Sequence, residues 1–205
     1  MTTIREFLLD DLFKFNRIAF DPLVEVYSLQ FVFPKIIEHP ELVLSVVAPD
    51  DQLMGFILGC RIVDAEGTIA DEKDLGSSHG HISSLAVAHD YRRLGLATLL
   101  LENLRAKMNH SNDWFMDLFV RAKNEHAIRL YESLGYVKYR WLPQFYADDH
   151  GYDMRLPLSR DVERKSLEGI TINKLYSFGN MLLYLVMMYL IGLRDLFFGD
   201  IFREN

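Results

Sequence analysis

Between His81 and Gly135 the hydrophobic period switches repeatedly, and that alternation limits the folds open to this chain more than any other feature. His81–Ala88 (HISSLAVA) has the pattern of a strand, and from about Leu94 to Met108 apolar residues recur at helical spacing. Trp114–Arg121 (WFMDLFVR) is strand-like again. Asn124 can cap a helix over AIRLYESL, and Gly135 stands where the glycine after a helix end belongs. Two strands joined through a helix cannot form a hairpin, so they predict a parallel pair with a right-handed crossover. The flanks read differently. Thr3–Phe7 alternates as a strand, Asp10 can cap a helix beginning DLFKFNRI, and Leu29–Glu38 is helical with Pro34 best placed near its start. Leu42–Ala48 ends at the turn Pro49-Asp50-Asp51 and finds its antiparallel partner in Leu53–Ile62. Asp64–Ser78 is polar and acidic and predicts an exposed loop. Val137–Tyr146 and Tyr152–Leu156 predict a closing antiparallel pair. The expectation is an α/β domain over 1–157, with a mixed, mostly antiparallel sheet flanked by helices.

Charge narrows the function classes. The 205 residues carry 22 Lys+Arg against 29 Asp+Glu, a formal charge of −7. That balance argues against sequence-independent nucleic-acid binding, which needs a broad positive field, although local basic patches stay open. The single cysteine, Cys60, excludes an intrachain disulfide framework and a zinc site built on several cysteines. It fits a reducing, cytoplasmic compartment. The opening MTTIREFLLDDLFKF is charged throughout and lacks the apolar core of a signal peptide. His79-Gly80-His81 has no third ligand at metal-binding spacing, so no metal is expected.

Arg92-Arg93-Leu94-Gly95-Leu96-Ala97 carries the clearest chemistry. It sits where a strand turns into a helix. Backbone N–H groups at a positive helix end attract anions, glycine lets the backbone approach closely, and two arginines add charge for phosphate oxygens. Taken alone the motif is short, and a basic turn explains it equally well.

The same residues resemble the coenzyme A pyrophosphate loop of the GNAT acetyltransferases. Asp117-Leu118-Phe119-Val120-Arg121, Asn124, Tyr131 and Leu134-Gly135-Tyr136 are similar to that superfamily's second acetyl-CoA segment. Closer still, Met1-Thr2-Thr3-Ile4-Arg5, Asp11-Leu12-Phe13, Asp21-Pro22-Leu23, Glu25, His79-Gly80-His81 and Tyr152-Asp153-Met154-Arg155 resemble, in order, the NatB catalytic subunits. Leu158-Ser159-Arg160-Asp161 and Lys165-Ser166 extend the likeness to about Ser166. The resemblance implies the GNAT (acyl-CoA N-acyltransferase) fold and acetyl transfer from acetyl-CoA to Met-Asp, Met-Glu, Met-Asn or Met-Gln N-termini. It implies acetyl-CoA contacts from Leu85, Val87, Arg92, Arg93, Gly95, Leu96, Ala97 and Asn124. Tyr131 and His81 would be catalytic, with Glu25, Tyr27, His81, Ser83, Phe119, Phe145 and Tyr146 around the peptide. It also implies a helical-repeat auxiliary subunit docked on Asp11–Phe15 and Phe31–Ile37, with ribosome association through that subunit.

The residues leave other roles open. Tyr131 can pack in the core, Asn124 can serve only as a cap, Tyr27 and Tyr146 can be packing aromatics, and Glu25 a solvated charge. The chain departs from the family chiefly on the peptide side: His39 replaces a Trp, Ser83 a Thr and Phe145 a Tyr, Pro34 falls in a helix, and Asp64–Ser78 is longer. A binding paralogue without catalysis, or a small-molecule acetyltransferase, are the rivals. Direct attack of the α-amine suffices for mechanism. Its pKa of about 8, against about 10.4 for lysine, leaves a neutral fraction without strong base catalysis.

Past a polar linker, 158–174, the composition changes. Leu175–Leu193 holds no charge, and 15 of its 19 residues are apolar or tyrosine. As a helix it would run roughly 28 Å, close to a bilayer core. Arg160, Arg164, Lys165 and Lys174 precede it, so a spanning helix would keep the enzyme in the cytosol. The alternative is a helix buried on protein. Residues 194–205 form a short tail.

Overall fold

The computed structural model describes residues 2–14, 18, 27–63 and 78–168. Seven strands form one sheet in the order β1-β2-β3-β4-β5-β7-β6. They are β1 (Thr3–Glu6), β2 (Val43–Val47), β3 (Leu53–Val63), β4 (Ser78–Val87), β5 (Phe115–Arg121), β6 (Val137–Tyr146) and β7 (Asp149–Pro157). All neighbours are antiparallel except β4 and β5, which run parallel. Helix α1 spans Leu29–Glu38, α2 Leu96–His110 and α3 Glu125–Ser133. The parallel pair thus falls where the period switching requires it.

The apolar run of β2, broken only by Ser45, follows from burial on both faces. Leu44 and Val46 join one core with Leu100, Leu104 and Met108 of α2 and Ile128 of α3. Val43 and Val47 join a second with Phe7, Phe56, and Val32 and Ile36 of α1. Gly135, with φ +94, ends α3 in the left-handed conformation that glycine adopts without strain.

Four expectations shift. Asp10 caps nothing: Leu9–Phe13 is a 3-10 turn, and Asp11 organises it. The Asp11 carboxylate accepts from Leu8 N–H at 3.0 Å, Ser45 Oγ at 3.0 Å and both Arg5 Nη atoms at 2.6 and 2.9 Å. Pro34 lies mid-helix, where α1 forgoes one backbone bond while Val32 and Ile36 pack against the sheet. Strand β4 begins at Ser78, three residues earlier than expected, because Ser78 O accepts Trp114 N–H at 3.1 Å and its Oγ accepts from Arg61 at 3.0 Å. Packing also continues beyond Pro157. Leu158, Asp161 and Ser166 are buried, and the Asp161 carboxylate accepts the Lys165 and Ser166 N–H groups at 2.7 and 3.0 Å. The apolar stretch 175–193, the tail 194–205, Glu25 and the loop body 64–77 lie outside the described residues. Among the described residues no helix is long and apolar enough to cross a membrane.

Candidate active site

The parallel strands part almost as soon as they meet. Pairing between β4 and β5 covers only Gly80–Ile82 against Met116–Leu118. On the other edge of β4, Ile82 pairs with Gly59 and Ser84 with Leu58, so Ser83 is left over in a bulge. A bulge bends its strand and increases its twist. Beyond it, Ser84–Val87 and Phe119–Arg121 diverge and wall a cavity of about 900 Å³.

One wall is built from a single stretch of chain. Arg93 has φ +65 and Gly95 φ +76, two left-handed residues in a four-residue loop before α2. Alternating handedness of this kind turns successive N–H groups toward one concavity. Gly95 is the N-cap and supplies no side-chain bond, while its carbonyl accepts Leu99 N–H at 2.9 Å. The first-turn amides of Leu96, Ala97 and Thr98 are therefore not capped by a side chain, and all three residues line the cavity. Four arginines, Arg92, Arg93, Arg121 and Arg129, also line it, and no Asp or Glu does among the described residues. A protein of net charge −7 thus gathers cationic side chains at this cleft, two of which, Arg121 and Arg129, are paired with Asp148 and Glu125. The arrangement suits a polyanion.

Asn124 does two things. Its Oδ1 accepts Ala127 N–H at 3.2 Å as the cap of α3, which leaves its amide hydrogens for a ligand at the cavity wall. Tyr131, 8% exposed, belongs to the core and also lines the cavity. Burial pushes its phenol well above the ordinary value of 10, so it stays protonated across the neutral range.

The other wall is aromatic and drawn from separate elements. Tyr27, Ser83, Phe119 and Tyr146 line the cavity. Phe119 is tilted against His81 at 5.3 Å and Phe145 at 4.9 Å, and Phe145 meets Tyr146 edge-on at 5.0 Å. His81 and Phe145 thus stand behind Phe119 rather than on the cavity wall. Tyr27 stacks on Phe31 of α1 at 4.3 Å. Of the residues expected around a peptide, only Glu25 lies outside the described part. Cys60 does not line the cavity: its Sγ lies 4.0 Å from Ser83 Oγ, and burial pushes the thiol up.

Several lining residues were given no individual role by the sequence, Arg121 being named only within the second acetyl-CoA segment. Arg121 holds its guanidinium 4.4 Å above the Tyr146 ring, and His126 and Arg129 sit one turn apart on α3. Their helical spacing was visible, but nothing in it signals a cavity. Asp117, 2.7 Å from His81 Nδ1, was named only within a strand and the second acetyl-CoA segment, with no link to His81. Among the described residues no cluster of His, Cys, Asp and Glu is arranged to hold a metal ion.

Comparison with known proteins agrees with this geometry. The acetyltransferase (GNAT) family model matches residues 4–136. The N-terminal acetyltransferase B complex catalytic subunit naa20 of Schizosaccharomyces pombe is 40% identical over 174 residues, covering 82% of this chain and 91% of the relative. The crystal structure of Chaetomium thermophilum Naa20 with a bisubstrate analogue superposes with a TM-score of 0.73 at 33% identity, covering 80% of this chain and 90% of that one. A NatB complex bound to CoA and MES contains a chain that superposes with a TM-score of 0.66 at 31% identity, covering 76% and 99%.

Proposed function

The chain belongs to the GNAT acetyltransferase family, among the N-terminal acetyltransferase B catalytic subunits, and from that premise we infer that it acetylates the α-amine of protein N-termini beginning Met-Asp, Met-Glu, Met-Asn or Met-Gln. The observation that carries this reading is the two-sided cleft, with an arginine and amide wall that no Asp or Glu among the described residues lines and an aromatic wall backed by His81.

Acetyl-CoA, when bound, supplies an activated acetyl thioester. Arg92, Arg93 and the amides from Gly95 to Thr98 would hold its pyrophosphate, with Leu85 and Val87 along the open edge of β4 and Asn124 opposite. Tyr27, Phe119 and Tyr146 would enclose the first residues of the peptide and exclude water. By the family resemblance His81 and Ser83 would be its polar contacts, and of the two only Ser83 lines the cavity. An α-amine with a pKa of about 8 is partly neutral at physiological pH, so the protein needs to orient it more than deprotonate it. Tyr131 would donate a hydrogen bond from Oη toward the departing sulfur. So weak an acid acts by that hydrogen bond more than by full proton transfer, because a thiolate whose thiol has a pKa of about 8.5 is a weaker base than phenolate; the proton that the attacking amine sheds balances the departing thiolate, directly or through solvent. A covalent acyl-enzyme on Cys60 has no support, since its thiol is held protonated and lies off the cavity.

The auxiliary-subunit reading draws support from exposed apolar side chains. Phe13, Leu29 and Ile37 are 87%, 65% and 62% exposed, and Leu8 and Leu9 are exposed beside Phe13 in sequence. A helical-repeat subunit would cover them, and ribosome association would follow through it. Residues 175–193, from sequence alone, are read as a membrane anchor with the enzyme in the cytosol. Release by alkaline carbonate or high salt would overturn that part of the reading.

Acetyl transfer to a peptide panel, with and without a NatB-type auxiliary subunit, tests the activity. Met-Asp, Met-Glu, Met-Asn and Met-Gln peptides should be acetylated in preference to Met-Leu. Preference for a polyamine would overturn the reading. Acetyl-CoA binding without turnover would point to the non-catalytic paralogue.

A further inference from the structure

Two basic side chains on the cavity wall have no part in the reading so far. Arg92 and Arg93 stand with the first-turn amides of α2, and Arg92 Nε is held 3.2 Å from Val87 O. Arg121 belongs to the other wall, beneath Tyr146 and paired with Asp148. That leaves Arg129, with His126 beside it. Helix α3 turns two stripes toward the cleft. Asn124, Ala127 and Tyr131 make the inner one, which ends at a buried phenol. His126 and Arg129, three residues apart, make the outer one, and both are exposed where the cavity opens to solvent. Arg129 Nη2 lies 3.4 Å from His126 Nδ1, so the two side chains converge on one spot. Glu125 is the carboxylate beside them, its Oε2 3.6 Å from Arg129 Nη2. It does not line the cavity, and the Glu125 and Arg129 side chains are 75% and 63% exposed. So open a pair is weak enough for a phosphate to displace.

The order of groups along acetyl-CoA decides what meets this spot. Its thioester must reach the buried end of the cleft at Tyr131, and its pyrophosphate the start of α2. The nucleotide comes next and is left at the mouth, with a phosphate on the 3′-oxygen of its ribose. A phosphomonoester carries about −1.5 to −2 near neutral pH, more than either phosphate of the pyrophosphate. A chain of net charge −7 repels that group unless a cation is placed for it. We propose that Arg129, with His126 beside it, is a subsite for the 3′-phosphate, through which this protein selects acetyl-CoA over its 3′-dephospho form. This rests on the acetyl-CoA part of the reading and goes further by assigning a second anion site, separate from the pyrophosphate loop. Arg129 supplies the charge and a planar fork of donors, and His126 adds a ring N–H. Neither reaches the reacting atoms, so the pair sets cofactor affinity and not the chemical step.

The experiment is calorimetric binding of CoA and of 3′-dephospho-CoA to the full chain, at low and at high salt. The parent should bind CoA roughly 5- to 10-fold more tightly, the share of about one charge-assisted hydrogen bond at an open site. Added salt should narrow that preference, because the pair faces solvent. Arg129→Gln should weaken CoA by the same factor and leave 3′-dephospho-CoA within about two-fold, so that the preference disappears. His126→Ala should cost less, about two-fold, and again for CoA alone. Arg92→Gln should weaken both ligands alike, since both carry the pyrophosphate. Glu125→Gln removes the competing carboxylate and should widen the preference about two-fold. Equal affinity of the parent for the two ligands overturns the proposal without any variant. So does an Arg129→Gln protein that keeps the preference, or one that loses both ligands in step, and so does a preference narrowed by Glu125→Gln. Binding of neither ligand would remove the acetyl-CoA reading and this subsite with it. A preference for CoA in a protein that acetylates no peptide would uphold the subsite and count against the N-terminal activity alone.

Discussion

The two walls of the cleft are made by opposite strategies. The anion wall comes mostly from the contiguous chain Ser84–Thr98, and its key features are main-chain ones: left-handed Arg93 and Gly95, and first-turn amides without a side-chain cap. The aromatic wall gathers Tyr27, Ser83, Phe119 and Tyr146 from four places in the sequence and fixes them by ring contacts. A wall made of backbone tolerates side-chain drift as long as its glycine remains. A wall made of side chains can be retuned one residue at a time.

Changes at the junction of the walls should do the most damage. Tyr131 borders the cavity from the core, so Tyr131→Phe removes one hydroxyl with little change in packing. The expected loss in kcat is about 100-fold, with acetyl-CoA affinity retained. Full turnover would make Tyr131 a packing residue. Gly95→Val should come next. At φ +76 a β-branched residue is strained, although a Cβ there meets nothing within 4 Å. Straightening the loop would turn its amides away, and acetyl-CoA affinity should fall roughly 10- to 100-fold by calorimetry. An unchanged affinity in a folded variant would remove the anion-wall assignment.

The contrast also governs what could be read from sequence. The parallel pair, α2, α3 with its Asn124 cap, and the Gly95 junction were legible because each is encoded by local period or local turn chemistry. Asp11 was not. Its role as hub for Arg5, Leu8 and Ser45 depends on β2 arriving from 34 residues away, whereas Asp10 merely has a cap-like position. The divergence of β4 from β5 was hidden for a similar reason, since the bulge at Ser83 exists only in its register with β3. Asp117 reads as a strand carboxylate until His81 is set beside it.

A single ring tests whether the aromatic wall is independent of the anion wall. Phe119 touches both His81 and Phe145, each contact contributing about 0.5–1.5 kcal/mol beyond area burial. Phe119→Ala loosens both neighbours, and if about 1–2 kcal/mol of that packing is felt by the peptide its KM should rise roughly 5- to 30-fold. Acetyl-CoA affinity should hold within a factor of about two. An equal loss in both would mean that the two walls are one cooperative unit.

The smallest expected effect lies at the tip of the β6–β7 hairpin, which carries Phe145 and Tyr146. Asp148 there is paired with Arg121, and its other carboxylate oxygen lies 2.6 Å from Lys123 Nζ. Hydrogen bonds from Lys123 and Arg121 hold the Asp148 carboxyl down at about 2. A depressed carboxyl contributes stability above its unfolded value and loses it as pH falls toward the folded one, here between about 4 and about 2. Across any neutral assay range the latch is closed. Asp148 is largely exposed, however, and exposed pairs are screened and individually weak. Asp148→Asn should thus raise peptide KM by no more than about five-fold. The difference should shrink as salt rises, because screening already weakens the pair in the parent. Arg121 remains beneath Tyr146 in the variant, so acetyl-CoA affinity should not move. A peptide KM that rises far more, and stays raised at high salt, would show the hairpin to be held chiefly by this latch rather than by its rings.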